Sequence, residues 1–443
     1  MKLLKTIAQK PAFVSLLGTG STAVLGFVTI ALLARGMDTA AFGDWMLFLT
    51  GYTLLEMLRA GLLQTALIRH MSGGDFHEKK RWIGSAALIG IGIGLMISLL
   101  NWLVYQLWPI NELSQGFVYL FWWSGPALLL SFPLQLSQWV LQESGRFRLF
   151  YMLKLVSQLA FLISLFVFSG GEWQLREVAF LFFLSQAFGG LLAAFTKTLG
   201  LKVLIHAGKQ EMRALLSFGR YSTGTLISAN LLRGSDTLLI GTFLGPQAVA
   251  LYSLPQKLFE VLEIPLRAVM TIALPSMAGK LQKGNHEGMQ QEFNYWTGLL
   301  SILMVPVAII LFLLADYLVL MLGGPGYEAS AWILRAFILF TFLLPLDRFS
   351  GVALDVLKKP QLNFLKVVLM LLVNVVGDVL VLSMTASPLG VALVSVVTYG
   401  SGAWLGYFFL KAYLPLKMGD IFQSGFKSIR EAHLYVSINL GRR

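Results

Sequence analysis

Residues 293–315 read FNYWTGLLSILMVPVAIILFLLA, without one Asp, Glu, Lys or Arg. A helix needs about 20 apolar residues to cross a hydrocarbon core of about 30 Å. The run meets that length, and four more charge-free runs of similar or greater length stand beside it: Pro11 to Ala34, Trp82 to Asn111, Leu113 to Gln142 and Val379 to Leu410. The last is long enough to hold the end of one helix, a turn at Ser387-Pro388 and most of another. Across all 443 residues 56% are hydrophobic and 13% charged, against about 25% charged in soluble domains. The composition excludes a water-soluble enzyme. It predicts an all-α polytopic membrane protein.

Working outward from these runs, twelve helices are predicted at 11–34, 41–66, 82–107, 116–141, 149–169, 177–199, 215–241, 247–275, 293–321, 329–356, 361–384 and 388–414. Lys2, Lys5 and Lys10 precede the first, which reads as an uncleaved membrane helix because the run is long and no small-x-small site follows it. Of the 34 Lys and Arg, 26 fall on one side of this arrangement and only Arg35 and Arg176 on the other. Basic loops stay in the cytoplasm, so both termini are predicted to be cytoplasmic. A missed helix would scatter the basic loops over both sides. In this light the net charge of +12 reflects membrane orientation and does not point to nucleic acid.

The two halves resemble each other. Met37–Gly73 aligns with Leu244–Lys280 at a shift of 207, bringing Glu56 onto Glu263. At a shift of 212, Pro133 meets Pro345, Glu143 meets Asp355, Arg146 meets Lys358 and Lys154 meets Lys366. A six-helix unit crosses an even number of times, so the duplication is parallel. It predicts two lobes related by a pseudo-two-fold axis along the membrane normal, with a site between them. The predicted division is 1–214 for the N-terminal six-helix lobe with its connecting cytoplasmic loop, 215–415 for the C-terminal lobe and 416–443 for a cytoplasmic tail. Two rocking bundles are the architecture of an alternating-access transporter. The tail mixes Phe422, Phe426, Ile429 and Leu434 with Lys427 and Arg430, a pattern open to either an amphipathic surface helix or a poorly ordered end.

Six basic residues remain within the predicted spans: Arg59, Arg233, Lys257, Arg267, Arg335 and Arg348. A charge near the bilayer centre costs a few kcal/mol or more, so it faces a partner or a cavity. Glu56 and Arg59 lie three apart, as do Arg233 and Asp236. Lys257, Glu260, Glu263 and Arg267 form one stripe, within about 120° of one another at 100° per residue. Two readings stand for these pairs. They neutralise each other and lock helices together, or they line a hydrophilic cavity whose guanidinium forks suit an anionic, phosphate-like substrate. In the second reading Arg59, Arg233, Lys257 and Arg267 bind substrate, with Glu56, Asp236, Glu260 and Glu263 as pairing or coupling groups. Asp378 on the eleventh helix joins them as a proton or cation group. Arg335, Arg348 and Asp347 are expected nearer a membrane surface. Pro255, Pro265 and Pro275 recur in the eighth helix and are candidate gating bends.

No metal or cofactor is expected. There is no cysteine, and the five histidines fall on cytoplasmic segments without metal-ligand spacing. No Walker A sequence is present, so any transport draws its energy from a gradient, a membrane potential or the substrate.

The stretches Ala31–Arg35 (ALLAR) and Ala41–Trp45 (AFGDW) resemble the first-loop pattern of bacterial polysaccharide flippases of the O-antigen type. So does Gly234–Gly245 (GSDTLLIGTFLG), continuing through Val249–Tyr252 to Leu274-Pro275. These flippases belong to the multidrug/oligosaccharidyl-lipid/polysaccharide exporter superfamily, and the similarity covers essentially the whole chain. The resemblance implies a transporter that moves an undecaprenyl-diphosphate-linked oligosaccharide to the periplasmic leaflet of the bacterial inner membrane. It also implies membrane lipids, a polysaccharide polymerase and glycosyltransferases as partners. By analogy Arg59, Arg233 and Arg267 would bind the diphosphate or acidic sugars, with Glu56, Asp236 and Glu263 holding them. The rival within the superfamily is a multidrug or organic-cation antiporter, often built around an acid in the first helix, which Pro11–Ala34 lacks. A glycan polymerase or ligase would want a large outer loop, and the predicted outer loops are all short. A scaffolding role is disfavoured by ionisable groups at repeat-related places.

Overall fold

A computed structural model describes residues 11–73, 75–107, 113–168, 173–196, 201–427 and 430. Lys2, Lys5, Lys10, Ile429 and Leu434, cited above, lie outside the described residues. The described structure is helical throughout. It runs α1 (Pro11–Gly36), α2 (Thr39–Met71), α3 (Phe76–Leu107), α4 (Gln115–Glu143), α5 (Phe147–Phe168), α6 (Leu175–Phe195), a 3-10 turn (Leu201–His206), α7 (Lys209–Leu244) and α8 (Pro246–Gln282). Then follow α9 (His286–Gly323), α10 (Ser330–Leu339), α11 (Leu344–Val356), α12 (Pro360–Thr385) and α13 (Pro388–Lys411). A last helix, α14, covers 418–427.

Short polar residues set the helix starts. Asp38 Oδ1 accepts the Ala41 N–H at 2.9 Å and Asn285 Oδ1 accepts that of Gly288 at 2.7 Å. Each such cap is worth about 1 kcal/mol. Pro360 and Pro388 open α12 and α13, where a missing N–H costs nothing. Among the described residues nine helices are long and apolar enough to cross a membrane, and α10 with α11 makes a tenth, broken span. The two that fail the apolar test, α7 and α8, have 36 and 37 residues, ample for a crossing. Both carry several charged residues along their length. The chain is therefore a multi-pass membrane protein with the twelve spans read from the sequence. Large apolar side chains such as Leu99, Phe166, Leu313, Val397 and Trp404 stand outward, where hydrocarbon is their solvent.

One expected helix, 329–356, is in fact two, bent by 51°. Pro345 has no N–H for the Thr341 carbonyl, and the chain between Ile338 and Leu344 closes with shorter bonds: Thr341 N–H to Ile338 O at 3.1 Å and Leu343 N–H to Phe340 O at 2.9 Å. Pro133, its repeat counterpart, sits inside an α4 that stays a single helix.

The chain divides into two compact units, Met1–Ser253 and Leu254–Arg443, later than the boundary near 214 suggested by the duplication. The reason is local packing, since α2 lies along α7 and α4, which brings α7 into the first unit. Leu63, Leu67, Phe132, Trp139 and Leu215 join one buried cluster there. Trp45, Phe48, Tyr52, Phe161 and Phe182 form an aromatic one, with Tyr52 and Phe182 edge to face at 5.3 Å. In the second unit α13 packs on α12, α11 and α10. The tail's α14 is tied back to α9. A methyl group on Gly298 would fall 1.9 Å from the Ile421 carbonyl, so the two backbones touch, and Ile421 is buried. Phe422 and Phe426 remain outside.

Candidate functional site

In the first unit the α2 arginine turns into the protein. Arg59 on α2 is fully buried. Its Nε donates to Gln135 Oε1 at 2.9 Å, its Nη2 to Ser131 Oγ at 3.3 Å and its Nη1 to the Leu128 carbonyl, all on α4. The guanidinium also lies over the Phe132 ring at 4.6 Å. This arginine binds two helices together, and three of its five donors are engaged there. Glu56 is half-buried one turn away, with Arg59 and Lys154 as its charged neighbours. On α7 Asp236 is buried and accepts the Tyr252 hydroxyl, while Arg233 is exposed.

The second unit builds something different. Near the middle of α8, Glu263 Oε2 accepts from Arg267 Nη2 at 3.1 Å, and Glu263 Oε1 accepts from Arg348 Nη2 of α11 at 2.7 Å. One carboxylate therefore holds two guanidinium groups, one on each oxygen. The acid is 7% exposed, whereas Arg267 is 54% and Arg348 25% exposed. Each arginine has five N–H donors, so most of this pair's donors are left over. Arg348 also lies over the Tyr399 ring of α13 at 5.9 Å, and that ring stacks flat on Phe340 at 4.5 Å.

A buried pair backs this fork. Lys366 Nζ on α12 donates to Asp347 Oδ1 at 2.8 Å, to the Asp347 carbonyl at 2.7 Å and to Ser350 Oγ at 3.4 Å. The other Asp347 oxygen is 3.9 Å from Arg348 Nε. Room for the pair comes from α13. A methyl group on Gly402 would fall 2.7 Å from Asp347 Oδ1, and one on Gly406 would fall 2.0 Å from Ser350 Oγ.

Of the other expected site residues, Lys257 and Glu260 pair at 2.8 Å on α8. Asp378 is buried on α12 and accepts from Asn374 Nδ2 at 2.7 Å. Pro255, Pro265 and Pro275 all lie inside an unbroken α8. Arg348 and Asp347, left out of the expected site, belong to the charge cluster at the start of α11, just after the break at Phe340–Leu343. Lys366, counted with the basic loop, is buried in α12. The repeat held a signal for this place. Pro133 aligns with Pro345, so Gln135, the partner of Arg59, falls opposite Asp347. Both units join their counterpart helices at this level. Arg335 pairs with Asp316 and lies over the Trp332 ring at 4.7 Å.

The arrangement offers one half-exposed and one quarter-exposed guanidinium group on one buried carboxylate. Chemically this is an anion cradle, since guanidinium forks match phosphate and carboxylate oxygens.

Comparison with known proteins agrees with this architecture. Residues 8–279, more than half of the chain, match the family model "Polysaccharide biosynthesis protein", and residues 222–380 match the MatE model. The amylovoran biosynthesis protein AmsL of Erwinia amylovora is 24% identical over 173 residues, or 39% of this chain, and the match spans 42% of that relative's length. Among solved structures, the lipid II flippase MurJ in an inward closed conformation superposes with a TM-score of 0.75 at 14% identity, covering 95% of this chain and 92% of that one. An inward-facing multidrug resistance MATE family transporter of the MOP superfamily gives 0.74 at 13% identity, covering 88% and 93%. A MOP superfamily transporter from Pyrococcus furiosus gives 0.63 at 14% identity, covering 91% and 96%. At such identities the structures speak for a shared fold, and the match over 8–279 speaks for the family. The chain belongs to the polysaccharide biosynthesis protein family.

Proposed function

We propose that this transporter moves a lipid-diphosphate-linked oligosaccharide, an undecaprenyl-linked polysaccharide repeat unit, from the cytoplasmic to the periplasmic leaflet of a bacterial inner membrane by alternating access. Both termini are then cytoplasmic, as the placement of 26 of 34 basic residues on one side argues. The observation that carries the substrate class is the Glu263 carboxylate holding Arg267 and Arg348 with donors to spare. A diphosphate needs cations inside the protein, while a polyprenyl tail stays in the bilayer. The oligosaccharide class is supported by the family match and by the amylovoran relative. Arg233 and the Lys257–Glu260 pair are the further candidates for contact with acidic sugars, with Asp236 and Asp378 as coupling groups and Pro255, Pro265 and Pro275 as bends of α8. Arg59 and Glu56 serve the fold of the first unit in this reading.

The test is reconstitution in liposomes with a fluorescent diphosphate-linked lipid saccharide, following its loss of leaflet asymmetry. Arg267→Ala and Arg348→Ala are expected to slow flipping by about tenfold or more, the loss of one charge-assisted contact each. Flipping that ignores both substitutions would discard the site and keep the function. A multidrug or organic-cation antiporter is the second reading, supported by the MatE match over 222–380. Absence of flipping by folded protein across several glycans would favour it.

A further inference from the structure

The charge cluster of the second unit holds three bases and two acids. Arg267 lies on α8 with Glu263, Asp347 and Arg348 on α11, and Lys366 on α12. The two acids are not used alike. Glu263 is shared by both arginines. Asp347 gives its closest contacts to Lys366, which takes both its Oδ1 and its backbone carbonyl, and it meets Arg348 only as a looser ion pair at 3.9 Å, beyond hydrogen-bond length. The Lys366–Asp347 pair is neutral by itself, so the five groups together carry one net positive charge, which falls on the Arg267–Glu263–Arg348 side. Lys366 is buried beside Gly406 of α13, whereas the arginines are the exposed members of the cluster.

We infer that Lys366 sets the charge of the anion cradle: by taking Asp347 as its own counter-ion, it keeps Asp347 from neutralising Arg348. Lys366 is thus a positioning residue, acting through Asp347 and Arg348 without touching substrate. Remove its ammonium, and Asp347 is left buried with Arg348 as the nearest cation. A buried carboxylate without a partner is costly, so it recruits that arginine. The cluster then holds two bases and two acids, and an anion meets no net charge. The inference rests on the reading of Arg267 and Arg348 as an anion site.

The experiment uses the full-length protein in detergent, with farnesyl diphosphate as a soluble probe of the lipid diphosphate. Binding is measured alongside thermal unfolding and size-exclusion profile. Lys366→Met is expected to weaken binding by about tenfold, the order expected for one unit charge several ångströms away in a partly buried site. Asp347→Asn, which removes the acid and keeps its shape, is expected to bind at least as tightly as wild type. The double variant Asp347→Asn/Lys366→Met is expected to recover affinity to within about threefold of wild type, since both deleted charges belonged to one pair. A merely structural role for Lys366 would leave the double variant as weak as the single one. That result, or wild-type affinity in Lys366→Met, overturns the inference. Should Lys366→Met fail to fold, Asp347→Asn decides alone, and weaker binding there overturns it. Wild-type affinity in Arg267→Ala and Arg348→Ala would instead remove the anion site itself, and with it this inference. Loss of binding in those two beside normal binding in Lys366→Met sinks the inference and leaves the site standing.

Discussion

The Glu263 carboxylate accepts a 2.7 Å hydrogen bond from Arg348, 85 residues further along the chain. This contact ties the middle of α8 to the first turn of α11, just after a break in the helical run. It places a second guanidinium beside Arg267, and one acid orients both.

Glu263→Gln tests that role. The amide still accepts from one arginine but carries no charge, so two guanidinium groups are left side by side without a counter-ion. The variant is expected to lose about 2–3 kcal/mol of stability, in the range for breaking a partly buried ion pair. It shows as a lower unfolding temperature in detergent. Flipping is expected to fall as well, because the arginines repel each other and the fork opens. A variant as stable and as active as wild type would mean that the carboxylate orients nothing.

Arg59→Met separates the two units' arginines. In the first unit Arg59 gives three of its five donors to Gln135, Ser131 and the Leu128 carbonyl, and it faces no open space. Replacing it removes three hydrogen bonds, although Ser131 Oγ keeps the Tyr52 hydroxyl and the Leu128 carbonyl keeps Ser131, at a cost of about 1–3 kcal/mol. Farnesyl diphosphate binding by the protein that does fold is expected to match wild type. Weakened binding at unchanged stability would return Arg59 to the substrate site.

Gly425→Leu tests the docking of the tail. A methyl group on Gly425 would fall 2.5 Å from the Gly298 carbonyl, whereas Gly419 of the same helix has open space around its added carbon. Gly425→Leu is expected to lift α14 off α9 and to speed tryptic cleavage at Lys417 by about tenfold, as protease attack follows the opened population. Gly419→Leu is the control and is expected to leave the rate unchanged. Equal rates in both variants would show that the Gly298–Gly425 contact holds nothing.

The membrane class, the number of spans and the duplication were legible from residue order alone. Length and charge-free runs decide whether a helix can sit in hydrocarbon, and those are local properties. The stripe of Lys257, Glu260, Glu263 and Arg267 was legible for the same reason, since helical periodicity puts such residues on one face. Whether a charge looks inward at a neighbouring helix or outward at a cavity is not local. Arg59 and Arg267 occupy nearly equivalent places in the repeat, yet one is consumed by Gln135, Ser131 and a backbone carbonyl while the other keeps most of its donors. The difference lies in residues more than 70 positions away, such as Gln135 against Asp347 and Arg348. The tertiary structure also decided that Pro345 breaks its helix while Pro133 does not, and that Lys366 leaves the basic loop for a buried place beside Gly402 and Gly406. Sequence determines what each segment can tolerate around it, but only packing determines which partner each charge finds, because an ion pair depends on the distance between helices that residue order does not record.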